Sequence, residues 1–222
     1  NNFYISAYAT SPSPRQWSSE LEREFFVELA KNPQIIGIEQ PLYLESNRYP
    51  LSWLQDNIPN HWNIVVTTLP VFMNLSKADP LLGLASKHEK YRSDAVRVIE
   101  NINQQVQELN RMFSRKIVSA IHLHSLPSNK DEIRGNSAAL LKSLQEIKNM
   151  DWNGAQLNLE HCDAQLPEQT ADKGFLLLAD ELEVLDQVTG FGIALNWARS
   201  AIECRSVNGP IKHIQMAKQA GL

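Results

Sequence analysis

The sequence has little of what marks cysteine-based metal sites, nucleic-acid binding or membrane insertion. Its 222 residues include two cysteines, Cys162 and Cys204, whose separation fits no zinc motif. The net charge is −4 without a basic block, so the electrostatic footprint of a nucleic-acid-binding protein is missing. No apolar run approaches the length of a membrane span, and no signal peptide is recognisable. We therefore expect a cytoplasmic protein that binds neither nucleic acid nor membranes.

The phosphate-binding loops of nucleotide-binding folds are also missing. No G-x-G-x-x-G follows the first predicted strand and no Walker-type loop occurs, which disfavours the doubly wound nucleotide-binding folds. What is present is a regular alternation of strand and helix. Strands are predicted to start near residues 3, 35, 62, 117, 155 and 190, each followed by helix-forming sequence. This alternation predicts a parallel sheet with right-handed crossovers.

The predicted fold class is α/β, with the strands in a (β/α) barrel of the TIM type. A closed barrel of this type has eight units, and the chain supplies about six. We expect a single domain over residues 1–222 that lacks the last two β/α units, and a complete six-unit open sheet is the alternative. In detail, the sequence predicts a first strand over Phe3–Ala9, a helix capped by Ser19, a long loop over 69–85 and a helix over 171–188.

The fifth predicted strand carries the clearest chemical pattern. In an extended chain successive side chains point to opposite faces, so Gln156, Asn158 and Glu160 share one face. Leu157 and Leu159 share the other. In a barrel the polar face is the interior, and Glu160 lies at the C-terminal end, where barrel enzymes keep their active sites. Glu160 is either a metal ligand or general base, or an acid paired with an arginine such as Arg199.

Further polar residues follow the other predicted strands. They are Tyr8, Glu39, Thr68, His122, His124 and Asn196. Each alone has an ordinary structural interpretation, but convergent polar groups from separate strands are typical of a barrel active site. Gly37 leaves space beside Glu39, and His122 and His124 share a strand face from which both can reach one ligand or bond to loop backbone.

The segment after the sixth strand reads N-W-A-R. Asn196 offers a donor and acceptors, and Arg199 suits a carboxylate or phosphate group. Trp197 is either a platform for a sugar ring or a core residue. We expect His161 to face away from Glu160, and Glu203 to lie in a solvated loop.

These motifs carry a family resemblance. At Asn158–Asp163 (N-L-E-H-C-D) and Ala194–Glu203 (A-L-N-W-A-R-S-A-I-E), with I-G-I-E-Q-P upstream, the chain resembles the xylose-isomerase-like barrels. It is most similar to a bacterial domain-of-unknown-function family placed near the sugar isomerases and epimerases. The resemblance implies a divalent metal (Mn, Zn, Co or Mg) on Glu160. The metal-dependent members have Asp-x-x-His on the next strand, where this chain has Asn196 and Arg199, which argues against the usual metal site.

Three functions follow from the residues and the resemblance. The first is a sugar or sugar-phosphate isomerase or epimerase, in which Glu160 and Glu39 move a proton beside a carbonyl that His122 or His124 polarises. Arg199 would then hold an anionic group of a carbohydrate substrate. The second is a glycoside or ester hydrolase with Glu39 and Glu160 as a carboxylate pair. The third is a ligand-binding barrel without catalytic activity. The oligomeric state is left open by the sequence.

Overall fold

A parallel six-stranded sheet forms the centre of the molecule. The computed structural model describes residues 2–44, 49–167 and 169–222. Each strand pairs with the next one in the chain, and the sheet curls into a partial barrel. The strands are β1 (Phe3–Ser6), β2 (Ile35–Gln40), β3 (Asn63–Thr67), β4 (Val118–Leu123), β5 (Gln156–His161) and β6 (Phe191–Leu195). The predicted α/β alternation and parallel pairing are confirmed.

Helices connect successive strands. In the described ranges they are α1 (Ala7–Thr10), α2 (Ser19–Ala30), α3 (Leu51–Asn57), α4 (Leu69–Leu75), α5 (Glu89–Met112), α6 (Ser137–Lys148), α7 (Leu178–Gln187), α8 (Trp197–Glu203) and α9 (Gly209–Gln219). None of these helices is both long and apolar enough to cross a membrane. The longest, α5, buries the apolar stripe that its spacing predicts, from Val96 to Leu109.

The core lies between the outer faces of the strands and the helices. On β5, Leu157 and Leu159 are buried beneath the helical layer, whereas Asn158 and Glu160 are partly exposed on the inner face. The predicted alternation of this strand is therefore confirmed. Burial of a leucine side chain contributes about 1.5–3 kcal/mol, so the outer face fixes which residues turn inward.

A glycine on β2 allows an aromatic ring to enter the barrel. A Cβ atom at Gly37 would lie 2.0 Å from the carbonyl oxygen of Asn63 and 2.6 Å from Cε1 of Tyr4. The predicted space beside Glu39 is therefore filled by the ring of Tyr4, whose hydroxyl lies 3.1 Å from Oγ of Ser119 on β4.

Two predicted boundaries of secondary-structure elements in the N-terminal half were wrong. The first strand ends at Ser6, and the next four residues, including Tyr8, form α1. Part of the predicted loop over 69–85 is helix α4. Pro70 had suggested a loop, but it occupies the first turn of α4, where its missing N–H has no intrahelical partner to lose.

The predicted helix over 171–188 begins only at Leu178. The carboxylate of Asp163 accepts hydrogen bonds from the backbone N–H groups of Asp172 (2.5 Å) and Lys173 (2.7 Å), and Gly174 adopts φ +72°. These groups hold the segment in a turn around Asp163 in place of a helical turn.

The segment after β6 is helical, contrary to the prediction of a solvated loop. The side chain of Asn196 accepts a hydrogen bond from the backbone N–H of Arg199 and begins α8. Glu203, at the end of α8, is buried. The predicted cap of α2 shifts by one residue, because Ser18 and not Ser19 caps this helix.

Candidate active site

The C-terminal ends of β2, β4 and β5 bring three ionisable side chains together. The strands are parallel and in register, with His122 opposite Asn158 and Glu39 opposite Val65. Nδ1 of His122 lies 3.5 Å from Oε2 of Glu160 and 3.8 Å from Oε1 of Glu39. One imidazole therefore stands between two carboxylates at the mouth of the partial barrel.

Of the three side chains, Glu160 has the most polar contacts. Nε2 of His124 lies 3.1 Å from Oε2 of Glu160, and the amide of Asn196 donates to Oε1 at 3.0 Å. Burial by itself would raise the pKa of Glu160, but His122, His124 and Asn196 outweigh it and hold that pKa well below its usual range. Glu160 is therefore a carboxylate throughout the physiological pH range.

His124 lies just past the end of β4 and is fully buried. Its Nδ1 lies 3.2 Å from Oγ1 of Thr68, and that hydroxyl also donates to the carbonyl of His122 at 2.9 Å. The hydroxyl of Thr68 thus orients the ring of His124 toward Glu160 and ties the ends of β3 and β4 together. Thr68 was predicted at a strand end, but this role was not foreseen.

Glu39 belongs to the more open part of the site. Ser6 donates a hydrogen bond to Oε2 of Glu39, which leaves Oε1 facing His122. Tyr8, on α1, lies near both carboxylates. Burial, and then the negative charges of Glu39 and Glu160, raise the pKa of Tyr8, so its phenol stays neutral and able to donate a hydrogen bond.

A cavity of about 560 Å³ opens beside Glu39 and His122. Its described lining comprises Tyr4, Ser6, Glu39, Val65, Ser119, Ala120 and His122. It combines a carboxylate, an imidazole and hydroxyl groups with a few apolar atoms, which is the composition of a site for a small polar ligand.

The donor atoms of Glu39, His122 and Glu160 fit a divalent cation. All three ligand atoms lie within 4.8 Å of one another. Nδ1 of His122 is buried without a hydrogen-bond partner among the described residues. An imidazole with two carboxylates suits Zn²⁺, Mn²⁺ or Co²⁺, and the carboxylates alone suit Mg²⁺. Cys162 also approaches Glu160, but burial raises the pKa of its thiol, so this thiol is protonated and a poor ligand.

The N-W-A-R segment divides between the site and the surface. Asn196 caps α8 and bonds to Glu160, so it belongs to the site. The guanidinium of Arg199 forms ion pairs with Asp172 and Asp163 (3.5 Å for the latter) and not with Glu160. Trp197 has 57% of its surface exposed and does not belong to the core.

The structure thus brings together six of the predicted site residues. These are Tyr8, Glu39, His122, His124, Glu160 and Asn196. Sequence reasoning missed Ser6, which bonds to Glu39, and Tyr4, which lines the cavity. Tyr4 and Ser6 alternate with apolar residues in the first strand. The alternation of side chains along β1 therefore places both on one face.

The sequence is similar to those of other known proteins. Over residues 4–222 it matches the family described as domain of unknown function (DUF4862). It is also similar to an uncharacterised protein of Salmonella typhimurium (strain LT2), with 36% identity over 220 residues, which cover 99% of this chain and 70% of that protein. Because the family match extends over almost the whole chain, the protein belongs to the DUF4862 family.

Proposed function

We propose that this protein is a sugar isomerase or epimerase related to the xylose-isomerase-like barrels, which moves a proton beside a carbonyl group. The observation that carries the proposal is the position of His122 between the carboxylates of Glu39 and Glu160, at a cavity of about 560 Å³. Isomerisation and epimerisation both need a base for a C–H proton and a group that stabilises the developing negative charge on oxygen.

The environments of the two carboxylates suggest different roles. A carboxylate whose pKa is strongly lowered is a weak proton acceptor, so Glu160 is poorly suited to be the base. Glu39 lines the cavity directly and serves as the base in our proposal. In this proposal His122 donates a hydrogen bond to the carbonyl oxygen of the substrate. His124 and Asn196 position Glu160 by their hydrogen bonds.

A divalent metal gives an alternative arrangement, in which Glu39 and His122 act as ligands. Glu39, His122 and Glu160 would hold it, and when bound it would supply Lewis-acid polarisation of the carbonyl. Asn196 contributes no anionic ligand here, since its amide nitrogen points at Glu160.

The site favours a neutral sugar over a sugar phosphate. The described lining of the cavity contains no lysine or arginine. Arg199, which the sequence suggested as an anion-binding group, is already neutralised by Asp163 and Asp172. Hydroxyl groups of Tyr4, Ser6 and Ser119 line the cavity, and besides their bonds within the protein they keep acceptor lone pairs that suit sugar hydroxyls.

A glycoside hydrolase is the second candidate, because it would use the same carboxylates. Oxygens of Glu39 and Glu160 lie within 4.8 Å of each other. This separation is closer to the about 5–5.5 Å of retaining enzymes than to the about 6.5–9.5 Å of inverting ones. A binding protein without catalysis is the third, and only activity measurements separate it from the others.

The test is proton exchange in heavy water. Purified full-length protein is incubated with neutral aldose–ketose pairs and their epimers in D₂O, with and without Mn²⁺, Co²⁺, Zn²⁺ or Mg²⁺, and deuterium beside the carbonyl is followed by NMR. We expect exchange with at least one sugar. Glu39→Gln should lower it by about 10²-fold or more, the usual contribution of a general base.

Glu24→Gln, an exposed substitution on α2, is the matched control and should exchange at the wild-type rate. Absence of exchange with every sugar and metal would contradict the isomerase proposal. Hydrolysis of aryl glycosides with retention, abolished by Glu39→Gln, would favour the second candidate.

A further inference from the structure

A second cluster of ionisable residues lies on the opposite side of β5 from Glu160. His161 is fully buried, as is Glu181 on α7. Glu203 of α8 and His213 of α9 have 8% and 3% of their surface exposed. The proposed isomerase site uses none of these four residues, which come from four different elements.

The two histidines are oriented alike. Nδ1 of His161 lies 2.6 Å from Oε2 of Glu181, and Nδ1 of His213 lies 3.0 Å from Oγ of Ser200. Each ring is therefore held through its Nδ1 atom, and both Nε2 atoms face Glu203. An outer carboxylate or hydroxyl that fixes the far nitrogen of a histidine is the usual second shell of a protein metal site.

The distances between the candidate ligand atoms match those between ligands of a small, tetrahedrally coordinated ion. Nε2 of His161 is 2.9 Å from Oε2 of Glu203, and Nε2 of His213 is 3.5 Å from Oε1. The three ligand atoms all lie within 4.8 Å of one another. Two ligands each about 2.0–2.1 Å from a tetrahedral zinc ion are about 3.3 Å apart, which falls between these two distances.

Close contact between α8 and α9 produces this convergence. A Cβ atom at Gly209, the first residue of α9, would lie 2.5 Å from the carbonyl oxygen of Ser200 and 2.6 Å from Cβ of Cys204. Glycine lets the two helices approach at this point, which brings His213 next to Glu203. The thiol of Cys204 lies 3.4 Å from Nε2 of His213.

The cluster also has an entrance. A cavity of about 670 Å³ is lined by Glu203, Cys204 and His213, together with Lys212, Gln169 and apolar residues. A metal with three protein ligands would keep its remaining coordination position on this side, as zinc does where it binds water or a substrate.

We propose that His161, Glu203 and His213 form a zinc site outside the barrel mouth, with Glu181 and Ser200 as the groups that orient the two histidines. Two imidazoles and one carboxylate are a ligand set that zinc accepts readily. The site would join β5, α8 and α9 and present an open coordination position to the cavity of about 670 Å³.

The test first removes the barrel-mouth site. The full-length Glu39→Gln/Glu160→Gln double variant is loaded with ZnCl₂ and desalted, and its zinc content is measured by mass spectrometry. We expect about one zinc per chain. Adding His213→Ala should weaken zinc binding at least tenfold in competition with a chelating dye, while adding His88→Ala, an exposed histidine, should change nothing.

Misfolding of the His213→Ala variant would also reduce zinc binding. A second measurement therefore uses protein in which the cluster is unchanged. In the same double variant, zinc should raise the melting temperature and Co²⁺ should give the visible absorption of a four- or five-coordinate ion. Failure of the folded double variant to retain zinc or to give this cobalt spectrum would overturn the proposal and leave an ion-pair network. Zinc binding that survives His213→Ala in full would overturn it as well.

Discussion

Single residues set the charge of the proposed active site. Glu160 is hydrogen-bonded to His124 and Asn196 and lies 3.5 Å from His122, whereas Glu39 has one serine donor and an open side toward the cavity. The two carboxylates at the barrel mouth are thus differentiated by their neighbours, as the proposed division of roles between them requires.

The lowered pKa of Glu160 predicts a pH dependence of stability. Because its folded pKa lies below its unfolded value of about 4.3, the stabilisation is present above that value and is lost as the pH falls through the folded pKa. We expect Glu160→Gln to cost about 1.5–3 kcal/mol at pH 7, and less as the pH falls below about 4. Urea unfolding in the presence of EDTA at several pH values measures this.

The exposed Glu100→Gln is the control for that series, and its effect should stay near zero at every pH. A cost for Glu160→Gln that does not change between pH 7 and pH 3 would contradict the assignment of a lowered pKa.

At the scale of elements, buried polar contacts fix the two central helices to each other. Arg92 on α5 is 2% exposed, and its guanidinium bonds to Glu89, to Glu146 and to Oγ of Ser143 on α6 (3.1 Å). The hydroxyl of Ser143 also donates to the carbonyl of Leu84 at 2.7 Å. One serine therefore satisfies a buried donor and a buried acceptor.

Removal of the Ser143 hydroxyl should lower the stability of the protein strongly for so small a change in the side chain. We expect Ser143→Ala to lower the free energy of unfolding by about 1–3 kcal/mol, because it leaves buried groups of Arg92 and Leu84 without partners. Ser52→Ala, at an exposed position of α3, should change it by less than about 0.5 kcal/mol. Chemical denaturation of the two variants decides the matter, and equal effects would argue against a special role for Ser143.

The start of the sheet depends on Gly37. An alanine there would meet the carbonyl of Asn63 as well as the ring of Tyr4, so we expect Gly37→Ala to lower the free energy of unfolding by about 1–3 kcal/mol or more. Adding Tyr4→Ala should recover little, because the carbonyl is part of the backbone of β3. Full recovery in the double variant, measured by thermal unfolding, would contradict this explanation.

At the scale of the whole molecule, the sequence predicts the site on the barrel interior better than the cluster outside it. Alternation along β5 places Glu160 inside, and parallel strands bring His122 and Glu39 to the same rim, so local pattern and topology suffice. The contact of His161 with Glu203 spans 42 positions and depends on how α8 and α9 lie against β5. No local periodicity encodes that placement, and α8 itself went unpredicted because its cap, Asn196, had been interpreted only as a site residue.

Glu160 and His161 are consecutive residues of β5, and they face opposite sides of the sheet. One peptide unit therefore belongs both to the barrel mouth and to the buried histidine cluster. If occupancy of one side changes the affinity of the other by some factor, thermodynamic linkage requires the same factor in the reverse direction. The change in sugar affinity on zinc binding and the change in zinc affinity on sugar binding must then give the same coupling free energy. The peptide unit between Glu160 and His161 is the shortest covalent connection between the two sites.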